Sequence, residues 1–350
     1  MTMVSRYVTE AVDLGPPVLD PQPIISLALS FWGAKAVMTA VALGVFADLA
    51  RGPLTGEALA AKLELDGRGA YDFFDSLVAL GLVQRRDRVY SNTPLANQFL
   101  DPAKPTYMGG LLEMTNSRLY PVWGQLADAL RSGQPRNEAK DDSDYYANLG
   151  RSSDRLAVFL RGMTGLSAAA SRAIAEKAPW ADHKTFVDVG GAEGGLSVQL
   201  AQAHAHLTGG TFELPNVGPY HDAYVDSFGL GDRLKFHGGD FFEDALPTAD
   251  VVVMGHVLHN WNLDQKRALV RKAYAALPPG GLFLVHESLI DDDRRSNALG
   301  LLMSLNMLLV TREGFGFTGA ECQTWMCEAG FSRTRVEHLV GSESMVIGIK

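Results

Sequence analysis

Apolar residues recur at helical spacing from about residue 25, through "LSFWGAKAVMTAVALGVFADLA", and Gly52-Pro53 stops the run. The next stretch, "LTGEALAAKLELDGRGAYDFFDSLVALGLVQRRDRVYSNTP", predicts a short helix capped by Thr55 and a turn at "LELD". A second helix from Gly67 to Leu80 and a small hairpin in "LVQRRDRVYS" follow. Helix, turn, helix, hairpin is the outline of a winged helix. Residues 25 to about 175 read as mostly helical, and from about Lys184 the period changes. The short apolar runs "TFVDVG", "GTFELP", "LKFHGGD", "DVVVMGH" and "LFLVHESLI" alternate with helical runs such as "LSVQLAQAHA" and "DQKRALVRKAYAAL". The last of these is stopped by Pro278, Pro279 and Gly280. That alternation predicts an α/β domain with a mostly parallel sheet covered on both faces. "RTRVEHLV" and "SMVIGIK", joined by "GSES", predict an antiparallel hairpin closing one edge. The expected division is a helical domain over residues 1–175 and a sheet domain over residues 176–350.

Composition narrows the function. The 350 residues allow two domains, and 47% hydrophobic with 20% charged residues is an ordinary globular balance. A net charge of −9 argues against a nucleic-acid or anionic-membrane partner. The winged-helix outline raises a DNA-binding regulator as a rival from another class. Between Pro53 and Leu95, however, five basic residues face six acidic ones, and Asp72 and Asp75 on the would-be reading helix would repel phosphates. The longest apolar stretch, Ala36 to Ala47, is about a dozen residues, carries Thr39 and predicts no membrane span. The start, "MTMVSRYVTEAVDLG", lacks the pattern of a secretory signal. Two cysteines, Cys322 and Cys327, read as buried reduced thiols on one helix and fit a cytoplasmic protein.

Three features line up where the strands would end. In "DVGGAEGG", Asp188 ends a strand, and Gly190 and Gly191 let the backbone approach a ligand. Glu213 lies about 20 positions on, where an acidic residue takes ribose hydroxyls. In "GGDFF", Asp240 can accept from an amino group and Phe241 can stack on a base. A dinucleotide fold is disfavoured, because "GGAEGG" lacks the G-x-G-x-x-G spacing that seats pyrophosphate on a helix N-terminus. Together these motifs resemble the S-adenosylmethionine site of class I methyltransferases, with Ala192 replacing the middle glycine of their signature. The resemblance implies a Rossmann-like sheet with S-adenosylmethionine as cofactor.

"MGHVLHNWN", followed by "LPPGGLFLVHESLI", is similar to the plant caffeic-acid-type O-methyltransferases and their bacterial and acetylserotonin-type relatives. The likeness covers residues 25 to 350 and implies that His259 is the general base and Glu287 the acid that orients it. From "FLRGMTGLS" it implies Met163 at the substrate and Ser167 near the cofactor. "LLEMTNSRLYPVW" matches the pocket-lining helix loosely and adds Met114 and Trp123; Asn260, Met303 and Met307 complete the expected substrate contacts. Gly255 stands in the cofactor set where plant enzymes carry a lysine. The resemblance also implies an intertwined homodimer. The residue types suit the chemistry: a phenol of pKa near ~10 can pass its proton to an imidazole of pKa near ~6.5 as its oxygen attacks the methyl.

The family's second acidic residue is missing, since Gly316 and Phe317 of "REGFGFT" stand where Glu-Arg would be. Either the base works as a dyad, or Glu313 takes over, or the chemistry has changed to C- or N-methylation or to binding without transfer. No metal is expected, because His256, His259 and His286 show poor ligand spacing.

Overall fold

The computed structural model describes residues 19–104, 106–136 and 152–350. The N-terminal stretch without a signal pattern lies outside these residues. By packing, the described residues form two compact units: one holds residues 19–121 together with Arg161–Leu166, the other residues 122–136, 152–160 and Ser167–Lys350.

In the first unit, helix α1 (Gln22–Leu43) and helix α2 (Val45–Ala50) meet at Gly44, whose φ of 80° ends α1 in the left-handed region. The periodicity had run straight through this break. Strand β1 (Leu54–Thr55) leads into α3 (Gly56–Lys62), where the Thr55 hydroxyl accepts from the Ala58 amide as expected. Asp66 caps α4 (Gly67–Ala79), and the hairpin β2 (Val83–Arg86) and β3 (Val89–Asn92) follows. Its turn residues, Asp87 and Arg88, both have positive φ, which matches the strand twist. These strands form a sheet of order β1-β3-β2, then α5 (Pro94–Phe99) and α6 (Gly109–Met114). Helix α1 buries only Met38 and Ala40, while Ile24, Leu27, Phe31 and Trp32 are exposed. With 22 residues and a mean hydropathy of 1.6 it is long and apolar enough to cross a membrane by length and composition, which corrects the shorter stretch read from sequence.

The second unit begins within α7 (Tyr120–Trp123) and α8 (Leu126–Ser132), and it includes most of α9 (Ser153–Lys177). Strands and helices then alternate: β4 (Thr185–Val189), α10 (Gly195–Ala203), β5 (Thr208–Glu213), α11 (Gly218–Ser227), β6 (Leu234–Gly238) and β7 (Val251–Gly255). Next come α12 (Leu263–Ala276), β8 (Leu282–Glu287), α13 (Ala298–Val310), α14 (Gly319–Ala329), β9 (Arg333–Val340) and β10 (Glu343–Ile349). The sheet order is β6-β5-β4-β7-β8-β10-β9; β10 runs antiparallel to both β8 and β9, and the rest is parallel. Alternation sends Val252 and Met254 to the face covered by α12 and α14, and Val251 and Val253 to the face covered by α10 and the end of α9. Chain order reverses between β4 and β7, so the crevice for a ligand opens at the carboxyl ends of these two strands.

Candidate functional site

The glycine turn leaves β4 at that crevice. Gly190 has φ 75°, and a Cβ there would lie 2.5 Å from Val257 Cγ2, so this turn presses on the turn that follows β7. Gly194, φ 93°, starts α10, and Ala192 takes φ 52° where the signature has glycine. A Cβ on Gly191 would meet the Asp188 carboxylate at 2.4 Å. Burial, then the neighbouring Glu213 charge, pushes Asp188 up to about 7. Burial likewise pushes Glu213 up to about 7, against one hydrogen bond from the Leu214 amide at 2.5 Å. Two acids in want of donors suit hydroxyl and ammonium groups. Asp240 spends Oδ1 on the Phe242 amide at 2.8 Å. Phe241 and Phe242 pack edge-on against Trp261, with centroids 5.8 and 4.7 Å away. Ser167 is half-buried on α9.

After β7 the chain turns sharply. His256 takes φ 54°, a conformation that costs on the order of 1–3 kcal/mol for a non-glycine residue. Its amide donates to His286 O at 3.1 Å, and the Asn260 side chain donates to His256 O at 2.9 Å. Asn260 braces the turn through this bond. His259, on the short turn Leu258–Asn260, is buried, and its Nδ1 lies 2.5 Å from Glu287 Oε2 at the end of β8. The His259 amide also donates to Glu287 Oε1 at 3.3 Å. This leaves Nε2 as the ring nitrogen able to take a proton. Burial would raise Glu287, but the charge and hydrogen bond of His259, with His256 behind, hold it below the usual carboxylate range. Sequence reasoning brought these two residues together correctly.

Gly255 has a packing reason to be glycine: a Cβ would sit 1.9 Å from His286 Nε2. Glu313, the second acid weighed from sequence, is exposed and accepts from Asn262 Nδ2 at 2.6 Å. Cys322 is buried, but Cys327 is exposed, contrary to expectation. Trp123 donates to Asn306 on α13 at 3.0 Å, and Asn306 reaches Met303 Sδ at 3.9 Å. Helix α13 packs on the His259 turn, so Trp123 and Met303 belong to that neighbourhood, and Met307 lies buried further along the helix. Met114 and Met163 lie in the helical unit, Met114 buried against Gly162.

Several residues went unnoticed. Lys266, wholly buried, donates to Trp261 O at 2.6 Å and to Phe315 O at 3.0 Å. Burial brings it down to about 7 against the pull of Glu287 and Glu321. Lys272 clamps the carbonyls of Phe241, Phe242 and Asp244 at 2.7, 2.7 and 2.9 Å. Their signal was legible: Lys266 falls on the apolar stripe of α12 with Leu269, Val270 and Ala273. Glu343 was read as part of a turn, yet it stands behind His256 at 3.3 Å.

Sequence spacing also misplaced the histidines, because β8 lies beside β7 and sets His286 5.2 Å from His256. Among the described residues, His256–His286–Glu343 and His256–His259–Glu287 each bring ligand-type atoms within 4.8 Å. Each carboxylate there lies at ion-pair distance from imidazole.

Residues 123–332 match the O-methyltransferase domain, and residues 25–102 the O-methyltransferase dimerisation domain. The tetracenomycin polyketide synthesis 8-O-methyl transferase of Streptomyces glaucescens is 40% identical over 334 residues, covering 95% of this chain and 98% of that one. An N,N-dimethyltransferase of Streptomyces rimosus is 32% identical, covering 95% and 98%. The crystal structure of human N-acetylserotonin methyltransferase with S-adenosylmethionine superposes with a TM-score of 0.87 at 28% identity, covering 96% of this chain and 99% of that one.

Proposed function

The chain belongs to the S-adenosylmethionine-dependent O-methyltransferase family, and on that premise we propose that it methylates a phenolic hydroxyl of an aromatic polyketide, with His259 as general base. The observation that carries this reading is the buried His259–Glu287 contact of 2.5 Å, on a turn that touches the glycine turn through Val257 and Gly190.

The donor set fits the cofactor. The left-handed glycine turn gives close backbone approach, Glu213 offers a carboxylate to ribose hydroxyls, and Phe241 offers a ring to adenine. Asp188, Gly191, Asp240, Ser167 and Gly255 complete the expected neighbourhood. When bound, the cofactor supplies an electrophilic methyl on a sulfonium that leaves as a neutral thioether. His259 Nε2 takes the phenol proton as the oxygen forms its new bond, and it returns that proton to water after product leaves. Glu287 holds the Nδ1 proton, fixes the tautomer and offsets the imidazolium charge. Lys266 and Asn260 hold the turn against its strain, so the base meets the hydroxyl without reorganisation. Trp123, Met303 and Met307 are the apolar groups we assign to the aromatic substrate.

The exposed face of α1 and the matched dimerisation domain support a homodimer in which α1 is covered by a second copy rather than by lipid. Lys35 in the middle of α1 donates to Asn116 at 2.5 Å, a poor fit to a bilayer core. The N,N-dimethyltransferase relative favours one second reading, transfer to an amine. Incubation with S-adenosylmethionine and a panel of hydroxylated and aminated polycyclic aromatics, with the methyl located by mass spectrometry and NMR, decides between them. An O-methyl product supports the proposal; N-methyl product alone overturns it.

A further inference from the structure

Behind the His259–Glu287 pair lies a second layer of buried ionisable groups. His256 Nδ1 is 3.6 Å from Glu287 Oε2, and His256 Nε2 is 3.3 Å from Glu343 Oε2. Glu343 also faces His286 Nδ1 at 4.0 Å and accepts from the Ser288 hydroxyl. The topology explains the meeting. Strand β10 inserts antiparallel beside β8 with Ser344 opposite Glu287, and the register shift between Glu343 and Ser344 falls at this point. A neutral imidazole has one N–H and one lone pair, so it can satisfy only one of two carboxylates. His256 faces a carboxylate with each nitrogen at ion-pair distance in a site closed to water, without a hydrogen bond at either, and its protonated form is the one both charges favour.

We propose that Glu343, acting through a protonated His256, is a positioning residue for the catalytic pair. With His259 neutral, Glu287, His256 and Glu343 together carry one net negative charge. When His259 takes the substrate proton the buried cluster becomes neutral. Proton uptake then discharges the site instead of charging it, which favours the base at the moment of transfer. Burial alone would keep His256 neutral, but Glu343 and Glu287 outweigh it and bring it to about 9, while against burial the His256 charge and the imidazole contacts of His256 and His286 hold Glu343 below the usual carboxylate range. The other groups facing the cluster are His286 from β8, which burial keeps down, Lys266 from α12, and Cys322 and Glu321 from α14.

The inference rests on His259 as base, and the experiment keeps the two claims apart. Histidine-ring ¹⁵N NMR is recorded on the full chain saturated with S-adenosylhomocysteine, with His256 assigned by H256Q. An imidazolium at His256 up to pH 8 that becomes neutral in E343Q is the expected result; neutral His256 at pH 7 overturns the proposal. In the kinetic arm, H256Q leaves Glu287 and Glu343 both charged and should move the acidic limb of the turnover profile to higher pH by on the order of one unit. E343Q, which loses the His256 proton together with the Glu343 charge, and the double variant should both keep the limb near its original pH. An unmoved limb in H256Q overturns the positioning role even if H259A is inactive. Normal turnover by H259A with the NMR result intact would instead overturn the base assignment. One tightly bound zinc per chain by elemental analysis, with activity lost to chelator, would also overturn the proposal.

Discussion

Proton-linked cofactor binding is the least obvious consequence of the site. Asp188 and Glu213 are both pushed up to about 7, burial being the main cause and their mutual repulsion adding to it at Asp188. Near pH 6 the free protein therefore keeps most of this pair protonated. A carboxylate that accepts two ribose hydroxyls must be ionised, so binding at low pH has to expel a proton. For one group with a value of about 7 in the free protein and far lower in the complex, affinity is nearly maximal at pH 8. It falls about twofold at pH 7 and about tenfold at pH 6. The pair titrates jointly, so a second proton would steepen the fall. The sign is opposite for stability. These raised values favour the free fold most below about pH 4, and that contribution is lost as pH rises through 7. Calorimetry with S-adenosylhomocysteine at pH 6 and 8, each in two buffers of different ionisation enthalpy, reads both effects. Affinity that is flat across this range, with no proton release, would refute the reasoning.

Other outcomes follow from single contacts. E287Q should keep cofactor affinity and lose about tenfold or more in turnover, because an amide can hold His259 but cannot offset its charge; unchanged turnover would deny Glu287 its role. K266M leaves the Trp261 and Phe315 carbonyls without a donor and should cost about 2 kcal/mol in urea unfolding, together with a loss of turnover. Equal stability and rate would show that the strained turn holds itself. Light scattering at micromolar concentration should give twice the 37.8 kDa of the chain, and a monomer would leave the apolar face of α1 unexplained.

The strands of the sheet domain and the His259–Glu287 pair were legible because each rests on a local pattern in the chain. The glycine turn, the H-N-W triplet and the carboxylate after β8 are short runs whose neighbours in sequence are also neighbours in the site. What escaped depends on lateral pairing. Glu343 lies 56 positions after Glu287, and only the antiparallel insertion of β10 brings it behind His256. His286 looked remote from His256 because 30 residues separate them, although adjacent strands put their rings in contact. The break at Gly44 was hidden by apolar residues on both sides, which keep helical spacing across a glycine that turns left-handed. Lys266 was visible on an apolar stripe, but a charge at one stripe position reads as noise until its two carbonyl partners are seen.

The central claim is that His259 removes the proton from an aromatic hydroxyl while the methyl is transferred. Its most direct measurement is the turnover of H259A on the O-methylated substrate, with S-adenosylhomocysteine affinity measured in parallel. Turnover lowered by ~10²–10⁴ at unchanged affinity is the predicted result. An H259A enzyme that turns over at near the normal rate would contradict the account, since alignment alone would then drive the transfer.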